Sequence, residues 1–291
     1  MAIDFPASPA LNQSFTSAGV VYTWNGYAWS GGGPAAVPFP HGQCRLVYVN
    51  TTTLRLMPYN GNRLFIGNAV QVVPSAGVSL AATGLTPAIV YYIYAWMNGA
   101  AMTLEASTTG HSTDLATGVE IKTGDPTRTL VGMAYIQNGP VFGDTSSSRL
   151  VRSWFNDPGT FQMNTLAATL NGISRGPGPQ VLDGAMNAFI LPWSGEMVIA
   201  QLQLLAAALG TMTLNAAVAV TTENNMVNPY MALAVPAAGV GGAVSMNVTA
   251  RLNVFTTEAM IVLMVSVWHS TGTANYYKDG SQFQVQCLGR R

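Results

Sequence analysis

The sequence predicts an all-β protein: a small N-terminal β-hairpin module, a linker, and two β-sandwich or jelly-roll-like domains. Three observations point there. Short runs rich in Val, Ile, Tyr and Thr recur between Gly, Pro and Asn turn signals. Asn25-Gly26, the strongest two-residue hairpin signal, lies between aromatic strand-like runs. Only 8% of the 291 residues are charged and 49% are hydrophobic, against a usual charged fraction of about a quarter. A surface so short of charge fits a β-protein that works assembled, with partners covering it. An ordinary secreted β-sandwich is the plainer alternative.

The N-terminal module spans residues 1–30. Within it, residues 20–29 read Val-Val-Tyr-Thr-Trp-Asn-Gly-Tyr-Ala-Trp. A two-residue turn at Asn25-Gly26 places Trp24 opposite Tyr27 and Tyr22 opposite Trp29. Strand side chains alternate faces, so Tyr22, Trp24, Tyr27 and Trp29 are expected on one face. An isolated hairpin is marginal in water, so this face needs cover, from the chain itself or from another protein. Residues 31–40 hold three Gly and three Pro and read as a linker, flexible and then stiff. A short module on a tether reads as a docking handle.

Residues 41–155 form the expected middle β domain. Its strand-like runs are 45–49, 53–57, 63–67, 89–96, 103–107 and 128–136, with a turn at Pro58-Tyr59-Asn60-Gly61-Asn62. Residues 151–159 read as its exit. Residues 160–291 form the C-terminal domain, with candidate strands at 161–168, 188–193, 197–205, 211–220, 244–254, 259–268 and 282–288. Residues 259–268 are almost continuously apolar, as in a strand buried on both faces. Residues 281–288 alternate polar and apolar up to the chain's end. Ala206-Ala207-Ala208-Leu209 has helical propensity, but Val198, Ala200, Leu202 and Leu204 alternate with Gln201 and Gln203, and strand is expected.

Several functions are disfavoured. The twelve basic residues balance twelve acids and form no cluster able to follow a phosphate backbone, so no nucleic-acid partner is expected. The N-terminus has no basic n-region or apolar h-region, so no signal peptide is expected. The apolar runs near 197–209 and 259–268 are too short for membrane insertion by a helix. Cys44 and Cys287 are too few for a cysteine-rich zinc site and read as small buried side chains. His41 and Cys44 have no second ligand pair, so no metal is expected, and no cofactor motif appears. His111 and Asp114 lie in a Thr/Ser/Gly-rich stretch that reads as a solvated turn; no Gly-x-Ser-x-Gly elbow accompanies them. His269 reads as a polar cap on a strand end.

Glycan cleavage needs two carboxylates across a cleft. Asp125, Asp157, Asp183 and Asp279 precede Pro or Gly and are explained by turns. Glu105, Glu120, Glu196, Glu223 and Glu258 remain, with no visible pairing, so no catalytic residue is expected. Arg175-Gly176-Pro177-Gly178-Pro179 reads as a stiff turn.

Two stretches carry a resemblance. Phe5-Pro6-Ala7-Ser8-Pro9, Gln13-Ser14-Phe15, Gly19 through Gly26 and Trp29 resemble a small module near the ends of tailed-bacteriophage virion proteins. Residues 54–62, 91–95, 103–109 and 124–132 also resemble phage structural proteins. The resemblance covers roughly the first half of the chain. It implies a non-enzymatic virion component, an oligomeric fibre or spike on tail or head, with a capsid or collar decoration protein as rival. It further implies other virion proteins as docking partners of Tyr22, Trp24, Tyr27 and Trp29, and a C-terminal domain that forms a homotrimer. Virion localisation follows, with synthesis in the host cytoplasm; a Cys44–Cys287 disulfide would then form only after lysis. Fibres of this kind meet host-surface glycans, and aromatic faces stack on sugar rings. Tyr276 and Tyr277 are the candidate glycan contacts for receptor binding, and a glycan-binding or glycan-hydrolysing protein is the rival from another class.

Overall fold

The computed structural model describes residues 4–17, 20–24, 26–31, 42–174, 180–210, 212–222, 225–237, 243–252, 257–269 and 272–289. Linker residues 32–40, His41, the 175–179 turn and Glu223 lie outside the described residues. Among the described residues every regular element is a strand except one 3-10 turn, Gly184–Met186. The all-β expectation holds. The chain divides into two compact units, Met1–His41 and Gly42–Arg291.

The N-terminal unit is a three-stranded antiparallel sheet of β1 (Ser14–Ser17), β2 (Val20–Trp24) and β3 (Trp29–Gly31), in that order. Its register corrects the expectation. Trp24 pairs with Trp29, Thr23 with Ser30 and Tyr22 with Gly31. The connection is therefore residues 25–28, and Tyr27 belongs to the loop. The shift brings two indoles opposite each other across the strands, tilted at 55°, and aromatic cross-strand pairs stabilise a ladder by roughly 0.2–1 kcal/mol. That gain outweighs the preference of Asn-Gly for the shortest turn.

The second unit begins with β4 (Cys44–Asn50), β5 (Thr53–Pro58), β6 (Arg63–Ile66), β7 (Ala69–Val72) and β8 (Val78–Ala81). Strands β4, β5 and β8 form one small sheet and β6 and β7 a hairpin. The middle sheet runs β10-β9-β13-β12-β11, from β9 (Val90–Asn98), β10 (Ala101–Ser107), β11 (His111–Thr113), β12 (Glu120–Lys122) and β13 (Asp125–Gln137). Asn60 and Gly61 hold φ of 54° and 124° in the turn between β5 and β6, the left-handed backbone that Asn and Gly adopt at least cost.

Four short strands follow: β14 (Val141–Phe142), β15 (Asp144–Thr145), β16 (Ser148–Arg149) and β17 (Val151–Ser153). The rest comprises β18 (Thr160–Thr165), β19 (Leu170–Ile173), β20 (Gln180–Val181), β21 (Ala188–Ile190), β22 (Val198–Ala208), β23 (Met212–Thr222), β24 (Asn225–Ala237), β25 (Ala243–Leu252), β26 (Ile261–His269), β27 (Ala274–Tyr276) and β28 (Gln282–Cys287). One sheet runs β15-β16-β21-β26-β23-β24, and another runs β18-β28-β22-β27-β19 with β25 also on β22. Their facing sides enclose one core, including Val198, Leu202, Leu214, Val218, Met246, Leu263, Val265 and Phe283. β26 is buried on both faces and β22 is a strand, both as expected. β24 was not legible in the sequence because Pro229 and Pro236 interrupt it. It is an edge strand, opposite an irregularity in β23 near Ala219, and edges and bulges tolerate proline.

The boundary expected near 155–160 does not divide two bodies. β16 lies parallel to β21 in the C-terminal sandwich. β13 is buried almost continuously from Thr129 to Ala134 because both its faces are covered. On one face Val131 joins the core with Leu46, Leu54, Leu56 and Ile93. On the other, Tyr94, Leu130, Met133 and Leu150 pack with Leu191 and Trp193. Gly132 fits this crowding: a Cβ there would lie 2.4 Å from the Arg152 carbonyl oxygen and 2.5 Å from Leu46.

Candidate functional site

In the N-terminal unit the aromatic residues form a cluster with a member the sequence did not reveal. Phe5 stacks on Trp29, its ring 5.3 Å away at 11°, and meets Tyr22 edge-on at 5.0 Å. Phe15, opposite Tyr22 on β1, lies 5.5 Å from Phe5 and 6.0 Å from Trp29. Trp24 and Trp29 are 5.7 Å apart. So Tyr22, Trp24 and Trp29 do share a face, covered in part by Phe5 of the same chain. Tyr27 stands in the loop, outside the paired strands, and is 93% exposed. The cluster is a small hydrophobic core that lets a short segment hold its sheet, and the loop presents an aromatic side chain outward.

The second pair of expected contact residues is corrected. Tyr276 ends β27 with its side chain in the sandwich core, fully buried, and cannot stack on a sugar. Tyr277 is half-buried. The pair splits because Tyr276 is the last inward position of β27 and Tyr277 lies just past the strand's end.

His111 is not in a solvated turn. It opens β11, and its ring lies between two carboxylates: Nδ1 is 2.5 Å from Glu120 Oε2 and Nε2 is 3.1 Å from Glu258 Oε2. Ionised carboxylates only accept, so both ring nitrogens donate, which is the imidazolium form. Burial disfavours that charge, but the hydrogen bonds and charges of Glu258 and Glu120 outweigh it, and the His111 pKa is raised. Burial likewise opposes ionisation of Glu258, and His111 more than offsets it, leaving its pKa lowered. Glu258 also accepts from the Ser194 backbone N–H at 3.3 Å and from Tyr92. Burial, with Glu258 adding to it, pushes the Tyr92 hydroxyl up to about 12. Tyr92, Trp154 and Trp193 surround the imidazole at centroid distances of 5.6, 5.2 and 6.3 Å. The structure thus pairs two of the glutamates that the sequence left unpaired, through residues 147 positions apart.

Behind this cluster lies a buried ion group that no motif announced. All five N–H groups of Arg152 are engaged: with Glu196 at 2.7 and 2.8 Å, with Asp157 at 2.8 and 2.9 Å, and with the Leu191 carbonyl at 2.9 Å. Trp193 donates its backbone N–H to Glu196 at 2.9 Å and its indole N–H to Asp157 at 3.3 Å. Arg152, Asp157 and Glu196 are 1%, 6% and 8% exposed. Asp157 does make the expected turn, accepting from Gly159 N–H at 2.9 Å, and also serves this group. Chemically both clusters fasten the middle sheet to the C-terminal sandwich, because each joins residues from both.

Further out on the same face of the middle sheet, Glu105 pairs with Lys122 and, at 3.0 Å, with Arg128, whose guanidinium lies 4.5 Å over Trp96. Burial opposes ionisation of Glu105, and the two cations overcome it and lower its pKa. A cleft of about 450 Å³ is lined by Arg45, Tyr48, Asp144, Arg149, Asp157 and Phe161. Its arginines are engaged already: Arg45 with the Asn156 carbonyl at 2.8 Å and stacked on Tyr59, Arg149 with Asp144 at 3.4 Å.

Both cysteines are free and buried, in different cores. Burial pushes the Cys44 thiol up to about 12 and Cys287 to about 11. His269 ends β26, as expected, and is buried there. Among the described residues no group of three or more His, Cys, Asp or Glu is arranged to hold a metal ion. No described helix is long and apolar enough to cross a membrane.

No protein-family model matches the chain, and no curated protein matches it. Solved structures give remote likenesses. Eiger TNF from S. frugiperda aligns at 11% identity and a TM-score of 0.29, over 44% of this chain and 95% of its own. The infectious bursal disease virus VP2 subviral particle aligns at 11% identity and 0.34, over 93% of this chain and 64% of its own. A CBM4 structure aligns at 16% identity and 0.24, over 48% of this chain and 92% of its own. Similarity this remote decides nothing about activity, and the functional reading rests on the chain's own residues.

Proposed function

We propose that this chain is a non-enzymatic structural component of a tailed-phage virion, an oligomeric fibre or spike docked to the particle by its N-terminal unit. The observation that carries the reading is that unit: a separate compact sheet with its own aromatic cluster and with Tyr27 extended from its loop. Interface energy concentrates in Tyr and Trp anchors, and a small self-supporting unit suits a docking handle. The His111 and Arg152 clusters support a structural role, since their carboxylates are engaged with partners in the chain. In this reading the C-terminal sandwich forms a homotrimer.

The test compares two variants in purified particles by quantitative blotting. Tyr27→Ala removes the exposed aromatic of the loop and keeps Phe5, Phe15, Tyr22, Trp24 and Trp29. Trp24→Ala combined with Trp29→Ala removes the cluster itself. Both are expected to reduce incorporation sharply, with circular dichroism of residues 42–291 unchanged. Normal incorporation of both variants would overturn docking through this unit.

A further inference from the structure

The C-terminal sandwich has an outer face built of amides, hydroxyls and apolar groups with a single charge. Across β18, β28, β22 and β25 the register aligns three rows of outward residues. They are Phe161, Gln286, Ile199 and Arg251; then Met163, Gln284, Gln201 and Thr249; then Thr165, Gln282, Gln203 and Asn247. The alternate residues of these strands point into the core. One of these outward residues is charged, Arg251, at the end of a row. Phe161 and Met163 are each 52% exposed. The amides touch one another: Gln282 Nε2 donates to Gln203 Oε1 at 2.9 Å.

A sheet face meant for water ordinarily carries charge, which also suppresses unwanted association. This one carries amides, hydroxyls and exposed apolar groups. In a trimer, the residues next to the threefold axis meet their own copies from the other subunits. A Lys or Glu there would face a like charge. Glutamine carries both donors and an acceptor, so a glutamine row is complementary to itself, and Met and Phe pack against their own copies equally well. We infer that this face is the contact between copies of this chain, with the Met163–Gln284–Gln201–Thr249 row nearest the axis. The inference rests on the oligomeric reading above and adds the surface that performs it.

The test uses the full chain. Gln284→Glu and Gln284→Lys each place like charges at the axis, on an outward position that leaves the core unchanged. Sedimentation equilibrium at neutral pH and low salt is expected to show an oligomeric wild type and at least a tenfold weaker association for each variant. An equal mixture of the two is expected to recover part of the association, because a mixed trimer sets two pairs of opposite charges against one like pair. Gln201→Glu is the second variant, expected to behave as Gln284→Glu does, with circular dichroism reporting folding for each. Thr103→Glu, on the middle sheet, is expected to leave association unchanged. A monomeric wild type would overturn both this inference and the oligomeric reading. An oligomeric wild type whose association survives folded Gln284→Glu and Gln201→Glu overturns the assigned surface alone.

Discussion

On the middle sheet, the face carrying Tyr94 and Leu130 is covered at its centre, and beyond the cover stand Glu120, Lys122, Glu105 and Arg128, each paired within the chain. On the C-terminal sheet, the outer face of β18, β28, β22 and β25 carries Gln, Thr, Asn, Met and Phe, with Arg251 alone charged. The two faces share pleat and strand spacing. They differ in whether their polar groups have fixed partners. Opposite charges on the middle sheet neutralise each other and hold the geometry in place. On the outer face Gln282 bonds Gln203 and Gln284 reaches Met163 Sδ at 4.0 Å, and an amide carries more donors and acceptors than one such bond uses. In a chain with 12 basic and 12 acidic residues, placement of charge is the clearest sign of which surfaces are finished within the chain.

The largest expected effect breaks the charged side of this contrast at its buried end. Arg152→Met removes the cation between Asp157 and Glu196 and leaves two carboxylates without it in a dry site. Removing one partner of a buried ion group costs about 3–5 kcal/mol. Thermal unfolding should show a marked fall in Tm, with the middle sheet and the C-terminal sandwich loosening together. A loss below about 1 kcal/mol would mean that apolar packing through Leu130, Met133 and Trp193 holds the joint unaided.

Much of this contrast was legible in the sequence and some was not. Alternation in Val198–Leu204 and Gln282–Cys287 revealed strands with one apolar and one amide side, because strand period is a local property. The position of β26 at the sandwich centre followed from its unbroken apolar run. The Trp24–Trp29 register was missed because turn preference is local, while the Phe5 ring that completes the cluster arrives from fifteen or more residues away. The glutamate pair was invisible for a related reason. Glu120 and Glu258 meet through His111 only after two separate sheets dock, and no spacing rule encodes that. The single-body packing of 42–291 was hidden too. Burial of β13 on both faces needs a second layer that the sequence at 128–136 does not specify.

A smaller effect concerns pH. His111 has a raised pKa in the folded chain. A group raised above its unfolded value contributes stability that is fully present below that value, near 6.5 for histidine, and is lost as pH rises through the folded pKa. Glu258 has a lowered pKa, so its contribution is present above about 4.3 and is lost as pH falls through its folded value. The cluster is therefore expected to stabilise most between these limits. Tm measured from pH 6 to 9 should decline in the wild type and decline less in His111→Asn. Parallel curves would show that this fastening adds nothing beyond the packing of Trp154 and Trp193.

The smallest effect lies at the outer rim, where Glu105 meets Lys122 and Arg128. These side chains are 27%, 21% and 25% exposed. Exposed and half-exposed ion pairs contribute about 0.2–1 kcal/mol, because water competes for the charges and the long side chains lose freedom. Glu105→Gln keeps the shape, removes the charge and replaces one of the two acceptor oxygens with a donor. Its cost is expected to be under about 1 kcal/mol at low salt and to shrink further at 1 M salt, where screening acts within about 3 Å. Lys122 then stands without its carboxylate, while Arg128 keeps Asp125 at 3.3 Å. If the amide-rich face is where copies meet, this substitution leaves association unchanged while slightly lowering Tm. If instead Glu105→Gln shifts the oligomeric state, the charged rim also takes part in assembly, and the line drawn between the two faces has to be moved.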